Sequence, residues 1–359
     1  MRAQDLRRAV ATALALSMVS VGVMTAGAAA IPPTWTLTFD AERGSCIDGE
    51  SNHALDLELY DRHGNDIDGL SAVAPDLGGH FHACFATGML TSGGSIHATN
   101  TSTLDIKSFT FPSLSVKDDR VTDVVKGTTV ADSHVTIRLK HCPVTAGCGS
   151  VVARTVPTDH HGRYSKDLTS AFALRGGDSV KVTWTSPEGS SWSRYQSPPQ
   201  MVLEMGTGSV AGQVNPGQHA TFRLRTHPGG SVLSTRSITG NSLLGSYSVT
   251  FASHLVASRQ VTSDFASDAH VTVPSTSTTY PIQHGKQKIR SHCLPDRAAV
   301  IYWNGIVGHA VRTADSHGRL YVNLGSVESS AFRLPHSSNL RIVCSTSAGD
   351  TIIRDLIVP

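Results

Sequence analysis

The sequence predicts an all-β protein, built as tandem β-sandwich domains that follow an export signal. Three observations carry this expectation. A short glycine-centred turn recurs along the chain, short alternating strands flank each occurrence, and no long amphipathic helical pattern intervenes.

The turn reads DLGGHF at Asp76–Phe81, DHHGRY at Asp159–Tyr164, NSLLGSY at Asn241–Tyr247 and DSHGRL at Asp315–Leu320. Its glycines are Gly79, Gly162, Gly245 and Gly318, at steps of 83, 83 and 73 residues. Asp or Asn accepts hydrogen bonds from the backbone just ahead, Gly supplies a positive φ, and the next aromatic or Leu begins a strand. Four copies of one small domain are expected: 31–115, 116–205, 206–279 and 280–359.

Ahead of them, residues 1–30 read as a signal peptide. Arg7 and Arg8 give a basic start, Ala9–Met24 is apolar, and Ala28–Ala30 offers small residues for cleavage. Without that leader the mature chain has no membrane span. The 30 basic and 28 acidic residues become equal in number once Arg2, Arg7, Arg8 and Asp5 are removed. A neutral chain with no Lys/Arg block argues against nucleic acid or an anionic membrane as partner.

Each copy then follows its own alternation. In the first, Leu55, Leu57 and Leu59 share one strand face, Phe81, Ala83 and Phe85 follow the turn, and Phe109–Leu114 closes the copy. The second is the clearest, with Val135, Ile137 and Leu139 inward against Thr136, Arg138 and Lys140, then Val180, Val182 and Trp184. Its closing strand is read as Met201–Met205, after Pro198 and Pro199. In the third, GTGSVAG (Gly206–Gly212) is read as a linker, because it lacks the strand-turn-helix context of a nucleotide-binding loop. Ala220, Phe222 and Leu224 alternate after it, and Thr276–Pro281 is a polar joint. The fourth has Ala298–Trp303 as an early strand, and Leu340, Ile342 and Cys344 on one face. Short strands at each copy's ends suggest units joined end to end.

The six cysteines are expected to pair within copies, since an exported chain meets an oxidising compartment. Co-location suggests Cys46 with Cys84, Cys142 with Cys148 and Cys293 with Cys344. The parity of Cys84 puts it opposite Phe81 and Phe85, whereas Cys293 and Cys344 both point inward, as a bridge across a sandwich core would.

The second copy resembles bacterial immunoglobulin-like repeats and, more distantly, carboxypeptidase-regulatory-like modules. The likeness is carried by Gly127, Val135, Ile137, Leu139, Asp159, Gly162, Tyr164, Leu174, Gly177, Asp178, Val180 and Val182. The third copy lacks the turn Asp and a clear Gly-Asp pair, and the fourth has HSSN in that place. The resemblance implies immunoglobulin-like sandwiches serving as stalks, spacers or adhesive surfaces, and carries over no catalytic residue.

Sites were weighed against that background. His80 and His82 point to the same side of a strand, but zinc needs three or four ligands, from residues such as His53 or His97. His141, Cys142 and Cys148 are more simply a disulfide loop. Asp76, Asp159 and Asp315 lack the run of oxygen ligands that calcium uses. GNSLLG has the wrong spacing for a nucleophile elbow. Neither an enzyme nor a cofactor is expected. Trp192 and Tyr195, in the polar stretch SSWSRYQ, are the candidate ligand-binding residues. The expected role is structural, at a surface or adhesive, with an unidentified protein or glycan at the cell surface as partner. The alternative is a secreted carbohydrate- or peptide-binding protein.

Overall fold

The computed structural model describes residues 36–40, 45–86, 90–142, 148–242, 244–274, 288–303, 308–327 and 338–357. The expected signal peptide and the polar joint at Thr276–Pro281 lie outside them. The described residues are nearly all strand and turn, with one 3-10 turn at Leu324–Ser326 and no α-helix.

The first stretch holds β1 (Thr36–Asp40), β2 (Cys46–Glu50), β3 (Leu55–Tyr60), β4 (Asp66–Val73), β5 (His80–Cys84), β6 (Ser95–Asn100) and β7 (Ile106–Thr110). Next come β8 (Ser115–Asp119), β9 (Val124–Thr128), β10 (His134–Lys140), β11 (Val152–Pro157), β12 (Arg163–Asp167), β13 (Ser179–Thr185) and β14 (Ser191–Gln196). They are followed by β15 (Gln200–Glu204), β16 (Ser209–Gln213), β17 (His219–Arg225), β18 (Val232–Thr239), β19 (Ser246–Thr250), β20 (Gln260–Ser263) and β21 (His270–Thr272). The last are β22 (Lys288–His292), β23 (Ala298–Trp303), β24 (Gly308–Thr313), β25 (Arg319–Asn323), β26 (Asn339–Ser345) and β27 (Thr351–Ile357).

One pairing scheme recurs through these strands. A short sheet is built as β1-β2-β5, β8-β9-β12, β15-β16-β19 and, from the described residues, β22-β25. A four-stranded sheet accompanies each, as β4-β3-β6-β7, β11-β10-β13-β14, β18-β17-β20-β21 and β24-β23-β26-β27. These are tandem β-sandwiches, and inward alternation makes them so. Leu55, Leu57 and Leu59 are buried on β3, Val135, Ile137 and Leu139 on β10, and Ala220, Phe222 and Leu224 on β17.

The recurrent turn does the same work four times. Gly79, Gly162, Gly245 and Gly318 have φ of 83°, 72°, 71° and 74°. The carbonyl of each accepts a backbone N–H from an earlier strand end: Ser51, Thr129, Val214 and Cys293 respectively, at 2.8–3.0 Å. The Oδ1 of Asp76, Asp159 and Asp315 accepts the N–H groups two and four residues on. Those bonds hold the carboxyls below the usual range, Asp315 at about 2, with the Arg319 backbone bond as the largest cause.

A second device sits two residues past the turn glycine. Phe81, Tyr164 and Tyr247 stand directly across from Gly49, Gly127 and Gly212. The Tyr164 hydroxyl donates to the Ser115 carbonyl at 2.7 Å, and the Tyr247 hydroxyl to the Gln200 carbonyl at 2.9 Å. A methyl group on Gly127 would overlap the Ser115 oxygen and meet the Tyr164 hydroxyl at 2.5 Å. In the last sandwich Leu320 replaces the aromatic ring, and Ser291 stands opposite it.

Three expectations are corrected. The strand at Met201–Met205 does not close the second copy: β14 is the last strand of that sandwich, and β15 pairs with β16 and β27. GTGSVAG is no mere linker, because Ser209–Gln213 is strand β16. The sandwiches are also not simply strung end to end. β1 pairs in parallel with β14, and β15 in parallel with β27, so two seven-stranded sheets form: β11-β10-β13-β14-β1-β2-β5 and β19-β16-β15-β27-β26-β23-β24. In each, the first strand of one sandwich completes the edge left by the last strand of another, which removes two open sheet edges.

The cores merge with the sheets. Phe39 stacks on Phe109 at 4.6 Å and meets Phe111 edge-on at 4.9 Å. Phe111 in turn lies 5.0 Å from Trp192, and Phe109 lies 6.1 Å from Trp184. A single buried cluster likewise runs from Met201 and Phe222 to Trp303 and Ile352. Thr36–Pro359 forms one compact unit.

Candidate functional site

Buried charge in this fold collects where strands of different sandwiches meet. Val116, Asp118 and Arg120 follow one another at alternate positions along and just past β8, and all three are buried. Arg120 donates from Nη1 and Nη2 to the two oxygens of Asp350 at 2.9 and 3.0 Å, and from Nε to Asp268 Oδ1 at 3.0 Å. It also donates to the Pro199 carbonyl at 2.7 Å. Its guanidinium carbon lies 5.4 Å from the centre of the Phe265 ring. Burial works against the charge on Arg120, and its interactions with Asp350 and Asp268 together outweigh it, so its pKa is raised. Asp350 also accepts the Met201 N–H at 2.7 Å, while burial pushes its own pKa up. One guanidinium thereby gathers the turns after β8, β20 and β26 and the approach to β15.

Asp118 lies beside it. Its backbone exchanges two bonds with the Asn215 side chain, each of 3.1 Å. Its carboxylate is buried without a hydrogen-bond partner, and burial pushes its pKa up to about 7. A shallow cleft of about 590 Å³ opens at this junction, with Lys117, Asp119, Lys126, Pro216 and Phe265 in its walls.

The candidate binding stretch SSWSRYQ is strand β14, not an exposed loop. Trp192 is 2% exposed, so as a ligand platform it is withdrawn: it packs against Phe111 and sits opposite Trp184 in the register. Tyr195 is half-buried, with the Lys181 ammonium 4.8 Å from the centre of its ring.

The cysteines join as Cys46–Cys84, Cys142–Cys148 and Cys293–Cys344. Cys293 and Cys344 are buried and bridge the two sheets of the last sandwich. Cys46 and Cys84 are register partners on β2 and β5, on the face away from Phe81 and Ala83, which resolves the parity of Cys84. His80 and His82 share that outer face, 3.5 Å from Glu50 and 2.6 Å from Asp48 respectively. His53 and His97 are not in the cluster that His82 forms with Cys46 and Cys84. His141 stacks on Phe172 at 4.1 Å and lies 3.0 Å from Asp178, whose carboxyl also accepts the Arg175 and Cys142 N–H groups. The Gly-Asp pair thus ends a loop.

Sequence reasoning missed Arg120, Asp268 and Asp350. The available signal was parity, because Asp118 and Arg120 continue the face of Val116.

No family model matches the chain, and no curated protein matches it. Among solved structures, it is similar to a tetra-tandem repeat in the extending region of a large adhesion protein, with 14% identity over 91% of this chain and 99% of that one, at a TM-score of 0.18. A biofilm-associated protein BSP domain aligns at 10% identity over 95% and 99%, with a TM-score of 0.19. Trypsin-activated alpha-2-macroglobulin from Escherichia coli aligns at 11% over 94% and 31%, with a TM-score of 0.18. At such TM-scores these likenesses carry no argument about role. No helix among the described residues is long and apolar enough to cross a membrane.

Proposed function

We propose that the chain is an exported, non-enzymatic structural protein that holds an extended surface of sandwiches in a fixed arrangement, in a surface, matrix or adhesive role. In this reading residues 1–30 are removed on export, and the repeats are the four expected from the sequence with the second boundary moved ahead of β15: 31–115, 116–199, 200–279 and 280–359. The observation that carries it is the use of Arg120, Asp268 and Asp350: the most deeply buried ion pair described, Arg120 with Asp350, joins sandwiches to one another. Three disulfides fit an oxidising compartment outside the cell. The partner in this reading is a protein or glycan at the cell surface.

Beads carrying the purified chain, passed over immobilised glycans, matrix proteins and bacterial cells, test it. Retention that survives Trp192→Phe, with no turnover of ester, peptide or glycoside reporters, is the expected result. Turnover of any reporter by the purified chain would overturn the reading.

A further inference from the structure

β2 and β5 present a three-rung ladder on their outer face: Glu50 opposite His80, Asp48 opposite His82, and Cys46 opposite Cys84. Strand alternation turns Phe81 and Ala83 inward, so the polar rungs face solvent, with Cys84 exposed and Cys46 half-buried. The His82 ring is held between two of the rungs. Its Nδ1 lies 2.6 Å from Asp48 Oδ1, and its Nε2 lies 3.3 Å from Cys84 Sγ. The His82 nitrogen and both sulfurs lie within 4.8 Å of one another.

With Asp48 accepting the proton on Nδ1, the lone pair of Nε2 is directed at the sulfurs. A carboxylate that fixes a histidine in this way, with the opposite nitrogen free to ligate, is the outer-shell arrangement of zinc sites. Two sulfurs and one imidazole are a ligand set for a thiophilic d10 cation, with a fourth position left for water. The disulfide alone withholds the thiolates.

We propose that reduction of the Cys46–Cys84 disulfide converts this face into a zinc site. Cys46 Sγ, Cys84 Sγ and His82 Nε2 are the ligands, and Asp48 is the residue that positions the imidazole. The reductant is a dithiol. It donates two electrons and two protons, the Cys46–Cys84 bond breaks, the dithiol closes to its own disulfide, and both cysteines become thiols. Binding Zn²⁺ then releases the two thiol protons to solvent. Bound metal withholds the thiolates from reoxidation, so the site holds either a disulfide or a cation. Cys293 and Cys344 are buried away from reductant, and among the described residues Cys46, Cys84 and His82 are the one such group of three ligand atoms within 4.8 Å of one another, which Cys142 and Cys148 do not form with His141.

The experiment uses the full chain carrying Cys142→Ser and Cys148→Ser, reduced with a dithiol, desalted without oxygen and titrated with Co²⁺. One equivalent should bind with a cysteinate-to-cobalt charge-transfer band that Zn²⁺ abolishes, and the oxidised chain should show no band. Asp48→Asn should weaken binding about tenfold to a hundredfold, and His82→Ala by at least as much, while His53→Ala leaves it unchanged. If the reduced chain loses its β-sheet circular dichroism, Cys46→His supplies a site that needs no reductant, and it should bind Co²⁺ through Cys84 and His82. Absence of the charge-transfer band in the folded reduced chain, or in the folded Cys46→His variant, would overturn the proposal. So would equal affinity in the parent and in His82→Ala.

Discussion

Arg120 and Asp350 are 230 residues apart in sequence and meet as a two-pronged ion pair, with side-chain exposures of 0% and 1%. Removing one partner of such a pair leaves a buried charge uncompensated, which costs about 3–5 kcal/mol. Arg120→Ala also strands the Pro199 carbonyl. Its urea unfolding midpoint should therefore fall well below the parent's, whereas Arg120→Met combined with Asp350→Leu should recover only the part due to the uncompensated charge, because the Pro199 carbonyl and the Met201 N–H stay unpaired. Equal midpoints for the parent and Arg120→Ala would show that the pair does not join the sandwiches.

Gly127 lies under the Tyr164 ring, where an added methyl overlaps the Ser115 oxygen. Gly127→Ala forces β8, β9 or the ring to move, and overpacking of this kind costs about 1–3 kcal/mol. Ser291 occupies the matching place opposite Leu320, where no ring stands. Ser291→Ala should shift the thermal midpoint far less than Gly127→Ala, and calorimetry on the two variants checks the contrast.

Asp118 gives a pH dependence of defined sign. Its pKa rises from 3.8 in the unfolded chain to about 7 in the fold, because burial disfavours the charge. Between those values the folded state holds a proton that the unfolded state has released. This group's contribution to stability is therefore present below 3.8 and lost as pH rises to about 7. Tyr164, which is buried, and Asp119, adjacent in the chain, are the titratable groups coupled to it. Asp118→Asn should flatten the fall in melting temperature between pH 4 and 7 and leave the variant more stable than the parent at pH 8, by on the order of a few kcal/mol. Parallel pH profiles would contradict this.

The three disulfides should separate by accessibility. Mild reductant followed by alkylation should label Cys46 and Cys84 while Cys293 and Cys344 stay protected by burial. Replacing Cys293 and Cys344 with Ser opens a loop whose sequence separation is 51, and should cost about 4 kcal/mol on a chain-entropy account. Peptide mapping and thermal unfolding report the two effects.

What was legible in the sequence was local. The turn glycines, the alternation of β3, β10 and β17, and the inward parity of Cys293 and Cys344 each lie within a few residues of their cause. The pairing of β1 with β14 has no such cause, because Phe39 and Trp192 meet through a parallel register between strands about 150 residues apart. Trp192 was misjudged because Ser190, Ser191 and Ser193 flank it. Those small side chains are themselves partly or fully buried against neighbouring strands, and the Ser190 hydroxyl accepts the Leu37 N–H at 3.3 Å. Arg120 was hidden in Lys117–Arg120, a charged run that reads as a solvated turn until the face of Val116 is followed through it.

The central claim, that sandwiches are fused through shared sheets, is tested most directly at Thr38 and Ser191, register partners on β1 and β14. Thr38 alternates with the buried Leu37 and Phe39, so both partners lie on the outer face. The chain carrying Thr38→Cys and Ser191→Cys should form that cross-link in air, with dioxygen taking the two electrons and two protons, and non-reducing peptide mapping should recover the two peptides joined. Recovery of both engineered cysteines as free thiols, in a chain whose native disulfides are intact, would contradict the fused sheet.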